Sequence, residues 1–283
     1  NGTLVINNSN TSPDDGTDTD ASSSWGDTQA EELESSEAFV VNSNGASISY
    51  DASSYCSTAS DPTPTESNHA GAGTYSSTTG LDFVSTSTGQ IDLSASTAGT
   101  YTITYTDTDL STATAEVTVA ASDYYVDDAG SNSNNGATSG TPFATIAYAI
   151  TKIGCPTTTI NVLAGSSYSE EAIEIPDGTS DLTISGAGIA STIFTGDGVG
   201  RFMHFNNSGD SDNSSNSNNI TVSNMKISGY GETTYGGAIK IEEHISTNIN
   251  FTNLHFHNNA TTNANENGGA IFIEEGSGAT FTG

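Results

Sequence analysis

The sequence predicts an all-β protein with two structured units, a β-sandwich followed by a coil of stacked parallel strands. Short runs of alternating apolar and polar residues fill the first unit, and a period of two places the apolar side chains on one face of a strand. In the second unit one strand-like motif recurs at spacings of 38, 29 and 30 residues, which is typical of stacked repeats. Apolar residues make up only 33% of the 283 residues, which favours thin β-layers over a bulky globule.

The charge of the chain limits its partners. The sequence holds 34 acidic and 4 basic residues, a net charge of -30, and residues 1–121 contain no Lys or Arg. Because such a field repels nucleic-acid phosphates, anionic lipids and polyanionic sugars, we expect no nucleic-acid partner. No run of about 18 apolar residues occurs, so we expect no membrane insertion. The acidic surface is interpreted as a solvated exterior, with collection of divalent cations as the alternative.

Residues 1–37 are predicted to form an acidic flexible linker. Trp25 and Leu33 are the large apolar residues in its acidic part, so the segment cannot bury enough surface to offset the entropy of ordering it. At the other end, Ala279 to Gly283 reads as a strand pattern that stops early. We therefore expect flanking domains of a longer chain.

Residues 38–121 are predicted to form the sandwich, with about seven strands. The alternating runs contain Phe39 and Val41, Ile48 and Tyr50, Leu81 and Phe83, Ile91 and Leu93, Tyr101, Ile103 and Tyr105, and Ala115, Val117 and Val119. The segments from Ile48 to Cys56 and from Ala98 to Tyr105 resemble the tandem immunoglobulin-like repeats of very large cell-surface proteins of Bacteroidota. Those proteins include gliding and adhesion proteins exported by type IX secretion, so the resemblance implies an immunoglobulin-like fold outside the cell.

The two cysteines, Cys56 and Cys155, lie in different predicted units. A disulfide would need their Cα atoms within about 7 Å of each other across the boundary between the units. We therefore interpret each cysteine as a small buried hydrophobic residue, with a bridge between the units as the alternative. Several of the similar repeats carry a second cysteine before the last strand, and this chain has none from Asp107 to Thr114.

Residues 122–283 are predicted to form a right-handed parallel β-helix that opens with a capping helix. Thr141 suits the N-cap and Pro142 the first helical position, and apolar residues follow at helical spacing from Phe143 to Ile153. A cap is needed because the first turn of such a coil would otherwise present unpaired backbone groups. The segment from Tyr124 to Ile150 resembles the opening of extracellular pectate-lyase-like β-helix proteins, in which such a helix covers the end of the coil.

The repeated strand motif predicts the register of the coil. Its copies begin at Asp181, Asn219, Asn248 and Gly278. The second and third copies match at an offset of 29 residues, with Val222 opposite Phe251 and Asn224 opposite Asn253. Stacking of like residues predicts continuous apolar columns inside the coil and a ladder of side-chain amides along its axis.

A second repeat lies between these strands. Gly236-Gly-Ala-Ile and Gly268-Gly-Ala-Ile are 32 residues apart, and paired glycines allow a tight turn into the next strand. Together with Phe256-His-Asn-Asn259, this repeat resembles the Gly-Gly-Ala-Ile and Phe-x-x-Asn repeats of chlamydial polymorphic outer-membrane proteins, which are surface adhesins. The resemblance implies a β-helix displayed at a cell surface.

Each copy of the second repeat ends in two glutamates, which form the candidate metal site. Stacking places Glu242 over Glu274 and Glu243 over Glu275. At a strand spacing of about 4.8 Å, like charges repel unless they are solvated, protonated or bridged by a cation. A solvated outer edge and a weak Ca²⁺ site are the two interpretations.

The remaining candidate residues are assigned structural roles. They are the histidines His204, His255 and His257, the basic residues Arg201, Lys226 and Lys240, and the acidic pair Asp210 and Asp212. The histidines lack partners at zinc spacing, the basic residues form no lyase-like cluster, and the acidic pair lies in a loop rich in Ser and Asn. We therefore predict no catalytic residue and no cofactor apart from the calcium considered above.

These expectations describe a non-enzymatic, secreted cell-surface adhesin or structural stalk that displays a rigid rod, with attachment or gliding motility as its setting. Its partners would be surface glycans or other cell-surface proteins. The alternative is a carbohydrate-active β-helix enzyme of lyase or hydrolase type, or a carbohydrate-binding module, because fold alone does not determine function. A pure spacer is the third interpretation.

Overall fold

Nearly all the regular secondary structure in the described part of the chain is β-strand. The structure was obtained as a computed structural model that describes residues 45–69, 71–108, 111–206, 219–242, 248–262, 268–275 and 277–283. Strands account for 46% of these residues and helix for 2%, which confirms the all-β prediction. The predicted linker 1–37 and the run with Phe39 and Val41 lie outside the described residues.

The N-terminal unit contains eight strands within its described residues. They are β1 (Ser47–Ser49), β2 (Ser54–Cys56), β3 (Thr65–Ser67), β4 (Thr74–Ser77), β5 (Asp82–Ser85), β6 (Gln90–Asp92), β7 (Gly99–Thr106) and β8 (Thr112–Ala120). Strand β7 pairs antiparallel with β4 and β8, whereas β2 pairs parallel with the end of β8. Two further antiparallel ladders join β1 to β3 and β5 to β6. The sequence did not predict β2, β3 and β4, because these short strands carry few apolar residues.

The core of the N-terminal unit is built from alternate positions of the longer strands. Its fully buried side chains include Ile91, Ile103 and Val117. The rings of Tyr75 and Tyr105 pack with their centroids 5.0 Å apart. The alternation that predicted β7 and β8 therefore corresponds to one buried face on each strand.

The chain of the C-terminal unit passes repeatedly through three parallel sheets. Its strands are β9 (Asp123–Val126), β10 (Thr158–Val162), β11 (Gly165–Tyr168), β12 (Ile173–Ile175), β13 (Leu182–Gly186), β14 (Thr192–Thr195), β15 (Met203–Phe205), β16 (Ile220–Ser228), β17 (Gly231–Glu232), β18 (Ile239–Ile241), β19 (Ile249–His257), β20 (Ala260–Thr261), β21 (Ile271–Ile273) and β22 (Ala279–Thr282). One sheet contains β9–β11, β13, β14, β16, β19 and β22, a second contains β12, β15, β18 and β21, and a third contains β17 and β20.

Successive passes of the chain place like residues beside like residues. Strands β16 and β19 pair at an offset of 29 residues, with Val222 opposite Phe251. Phe251 in turn pairs with Phe281 on β22, and Ile239 pairs with Ile271 in the second sheet. The predicted registers of both repeats are thereby confirmed. A slip of one residue would turn every one of these side chains to the opposite face.

Two asparagines form the corner between neighbouring stretches of the large sheet. Residues 221–223 of β16 pair with β13, whereas residues 226–228 pair with β14. Asn224 lies at this corner with φ of 60°, and Asn253 lies at the next with φ of 50°, a region that Asn tolerates better than most residues. The Nδ2 of Asn253 donates to the Oδ1 of Asn224 at 2.9 Å, which confirms the predicted amide ladder.

The interior of the C-terminal unit is apolar and rich in aromatic rings. The rings of Tyr168, Phe194, Phe202 and Tyr230 follow one another with centroid separations of 4.7, 4.8 and 5.4 Å. All four side chains are buried, so this row of rings links several passes of the chain.

The capping helix is shorter than predicted and begins later. Helix α1 spans Ile146–Ile150, and its N-cap is Thr145 rather than Thr141. Phe143 does not start the helix, because its N–H donates to the carbonyl of Tyr125 at 2.8 Å and its backbone bridges to β9. Pairing with the first strand thus delays the helix by four residues from the position that Thr141 suggested.

The carboxylate of Glu170, which lies between strands β11 and β12, caps the first turn of helix α1. Oxygens of Glu170 accept from the N–H of Ile146 at 2.8 Å and from that of Ala147 at 2.7 Å. These N–H groups have no partner inside a helix, so the carboxylate satisfies them. Burial raises the pKa of Glu170, although the two N–H groups act in the opposite direction.

The prediction of two separate cysteines was wrong, because Cys56 and Cys155 form a disulfide. Their Cα atoms are 4.8 Å apart. Strand β8 ends at Ala120 and β9 begins at Asp123, so the two units abut with almost no connecting chain. This close junction brings the two cysteines together across the boundary between the predicted units.

Candidate functional site

The outer face of the second sheet carries polar side chains in register. Glu174, His204 and Lys240 are the central residues of β12, β15 and β18, and they lie opposite one another. Their neighbours along each strand are buried isoleucine, methionine or phenylalanine residues, so alternation directs these three side chains outward.

Contacts between basic and acidic side chains connect these residues along the axis of the stacked strands. His204 contacts Glu174 through Nδ1 at 3.1 Å and Glu242 through Nε2 at 3.0 Å. Lys240 contacts Glu242 at 3.1 Å and Glu274 at 3.0 Å. We call these five residues the charge ladder. Burial acts against the charge of Lys240, but its hydrogen bonds to Glu274 and Glu242 raise its pKa.

The charge ladder bears on the predicted calcium site. The ammonium of Lys240 lies between Glu242 and Glu274, where the calcium interpretation requires a metal ion. Ca²⁺ takes about six to eight oxygen ligands, and the described residues contain no cluster of three or more acidic, His or Cys side chains fit to hold a metal. Glu275 lies in a turn after β21, and Glu243 lies outside the described residues. The stacked pair that the structure describes therefore suits a lysine better than calcium.

The other candidate residues are placed apart from one another. His255 and His257 share the outer face of β19, with ring centroids 6.1 Å apart. Arg201 donates to the carbonyls of Tyr235 and Gly236, at 2.6 and 3.0 Å, and so ties neighbouring passes of the chain together. Lys226 lies on the large sheet beside His255.

The basic residues considered for a lyase thus have different surroundings. Arg201 bonds backbone carbonyls and Lys240 bonds carboxylates, while Lys226 lies on another sheet. Asp210 and Asp212, the pair considered for a hydrolase, lie outside the described residues.

A cleft lies between the two units, and the sequence did not predict it. Its volume is about 490 Å³, and its walls include Thr100 and Thr118 of the N-terminal unit, Tyr148 of helix α1 and Lys152 just after that helix. The hydroxyl oxygens of Thr100 and Thr118 are 3.0 Å apart. The Nζ of Lys152 lies 4.6 Å from the ring centre of Tyr148. None of the described residues that line the cleft is acidic, in contrast to the chain as a whole.

No protein-family model, curated protein or solved structure matches the chain. In the part of the chain that the structure describes, no helix has the length and apolar character needed to cross a membrane.

Sequence reasoning missed the lysine of the charge ladder and the whole of the cleft. Lys240 lies two positions before Glu242, and residues two apart on a strand share a face, so a signal for this ion pair was present. The cleft depends on how the two units pack, for which the two cysteines were the single available hint.

Proposed function

We propose that the chain is part of a secreted, non-enzymatic cell-surface adhesin or stalk, in which an immunoglobulin-like sandwich joins a right-handed parallel β-helix. The observation that carries the proposal is the register of the C-terminal unit, where Phe251 lies between Val222 and Phe281. A stack in which each pass contacts its neighbours grows along one axis. Such a rod holds a partner away from the surface to which it is anchored.

Two properties support a place outside the cell. Disulfides form and persist in oxidising compartments, and one joins Cys56 to Cys155. The net charge of -30 keeps an exposed protein soluble and favours neutral glycans or other cell-surface proteins over polyanions as partners.

Binding and turnover measurements together test this function. The full chain is applied to an array of neutral and acidic glycans, and the same polysaccharides are incubated with it and assayed for new reducing ends or unsaturated products. We expect binding without turnover. Turnover of any polysaccharide would contradict the non-enzymatic function, and the absence of both binding and turnover would favour the pure spacer.

A carbohydrate-binding module is the second candidate, and the cleft between the units favours it. Ligand pockets typically enclose about 300–1,000 Å³, and this cleft of 490 Å³ combines hydroxyl groups with the ammonium of Lys152. If a glycan binds there, Lys152→Ala should weaken its binding about tenfold, the effect of one charge-assisted hydrogen bond. The matched control Lys226→Ala, on the large sheet, should leave binding unchanged.

A further inference from the structure

The disulfide divides the chain into a closed loop and two outer arms. Its cysteines are 99 residues apart in sequence, and the loop contains strands β3–β9 and helix α1. Of the buried residues that form the core of the N-terminal unit, all except Ile48 belong to this loop. Almost the whole sandwich is therefore enclosed by the covalent link.

The two ends of the bridge connect one strand of each unit. Cys56 is the last residue of β2, and Cys155 lies three residues before the start of β10 at Thr158. Strand β10 is an interior strand, because it pairs with β9 on one side and β13 on the other. The shortest covalent path between the outer arms thus runs from β2 directly into the stack.

The short hydrogen-bonded ladder between β2 and β8 is the other route by which tension can leave β2. Strand β2 pairs parallel with β8 over three positions, from Ser54 opposite Thr118 to Cys56 opposite Ala120. Tension that arrived through β2 and left through the end of β8 would shear this ladder and then load the sandwich. A covalent bond beside the ladder takes that tension, because it does not yield at extensions that separate hydrogen bonds.

The junction around the bridge is closely packed. Cys56 and Cys155 are each 7% exposed and contact Ala120. A Cβ on Gly154 would lie 2.7 Å from that of Ala120, so only glycine permits this approach of the two units without a shift. The hydroxyl of Tyr124 donates to the carbonyl of Lys152 at 2.8 Å, which fastens the same region.

We propose that this disulfide is the tension-bearing link of the protein. Pulling force crosses from Cys56 at the end of β2 to Cys155 and continues into β10, so once β1 has separated from β3, the loop that holds the sandwich and α1 carries none of it. The inference rests on the proposed stalk function, since a chain is under tension only when it is anchored on one side and holds a partner on the other.

Single-molecule stretching of the full chain, with handles at its two ends, tests the inference. The oxidised wild type is compared with a variant that carries both Cys56→Ser and Cys155→Ser. Because the loop spans 99 residues, we expect the fully extended oxidised chain to be shorter by about 350 Å, at roughly 3.3–3.6 Å per residue. The unfolding step of the sandwich should appear only in the variant.

Equal final lengths, or a sandwich step in the oxidised chain, would overturn the proposal. If the variant fails to fold, the oxidised wild type is held under constant tension while a phosphine reductant is added. A gain of about 350 Å is then expected, and no gain would overturn the proposal. Glycan binding is measured without tension, so its failure would leave these lengths unchanged and the two proposals are tested separately.

Discussion

The ring of Phe251 lies against the ring of Phe281, with centroids 5.2 Å apart and an angle of 26° between their planes. On the other side Phe251 pairs with Val222, and its own side chain is only 2% exposed. One side chain thus contributes to three successive passes of the chain, so its loss should weaken the whole column.

We expect Phe251→Ala to lower the free energy of unfolding by about 3–5 kcal/mol, because it removes a buried ring and leaves a cavity. The measurement is chemical denaturation followed by circular dichroism. The matched control is Thr252→Ala, whose hydroxyl contacts that of Thr282 at 3.0 Å on the outer face and whose loss should cost less than about 1 kcal/mol. Equal effects of the two substitutions would contradict the inward orientation of Phe251.

Asn224 combines a left-handed backbone with a place in the amide ladder, and two substitutions separate these roles. Both Asn224→Ala and Asn224→Gly remove the side-chain bonds of Asn224 to Asn253 and Ser185, but alanine strains at φ of 60° whereas glycine adopts it freely. We expect Ala to destabilise the protein by about 1–2 kcal/mol more than Gly, as measured by denaturation. A glycine variant as unstable as the alanine variant would show that backbone conformation does not matter at this corner.

The register of the stacked strands was predictable because the sequence repeats locally at the same spacing. Ile220 to Ser228 and Ile249 to His257 match position by position, so stacking of like on like followed directly. Strands β12 and β15, of three residues each, carry no such repeat and were not predicted. The start of α1 was misplaced because Thr141 and Thr145 both suit an N-cap, and the choice depends on pairing of Phe143 with a distant strand.

The disulfide and the cleft depend on how two units dock, which no local pattern encodes. Cys56 and Cys155 are 99 residues apart, and their pairing needs the close junction at Gly154 and Ala120. The charge ladder was predictable only in part. The stacked Glu242 and Glu274 were predicted, but the lysine between them was considered only as an isolated base.

Lys240 separates two carboxylates, so Lys240→Gln should leave them facing each other. We expect a loss of about 1 kcal/mol in the free energy of unfolding, since all three side chains are partly buried, at 18–26% exposure. The control is Lys226→Gln, on the large sheet. If both variants are equally stable, Lys240 does not support the stack.

The same lysine predicts the response to calcium. Because its ammonium already bridges Glu242 and Glu274, we expect no heat of Ca²⁺ binding at millimolar concentration in isothermal titration of the wild type. A saturable heat that is lost in a variant with Glu274→Gln would instead support a calcium site at the stacked glutamates.

Glu170 predicts a pH dependence of stability. Its burial raises its pKa, so the folded protein favours the neutral form more than the unfolded chain does. This contribution is present below the unfolded pKa of about 4.3 and is lost as the pH rises through the higher folded pKa. Glu170→Gln stays neutral, so its stability relative to the wild type should increase between about pH 3 and pH 7.

Denaturation of both proteins across this range measures the difference. Glu232 provides the control, because the N–H of Thr233 lowers its pKa, so Glu232→Gln should lose stability relative to the wild type as the pH rises through the same range. A relative stability of Glu170→Gln that falls with rising pH would mean that the two N–H groups of α1, not burial, dominate at Glu170.

The proposed rod depends on one relationship, in which residues about 30 positions apart lie side by side in successive passes of the chain. The most direct test is a nuclear Overhauser measurement between the methyl groups of Val222 and the ring protons of Phe251 in a selectively labelled full chain. We expect a strong cross-peak, because the two residues are opposite each other in parallel strands and both are buried. A spectrum in which both residues show contacts to other side chains but none to each other would contradict the stack.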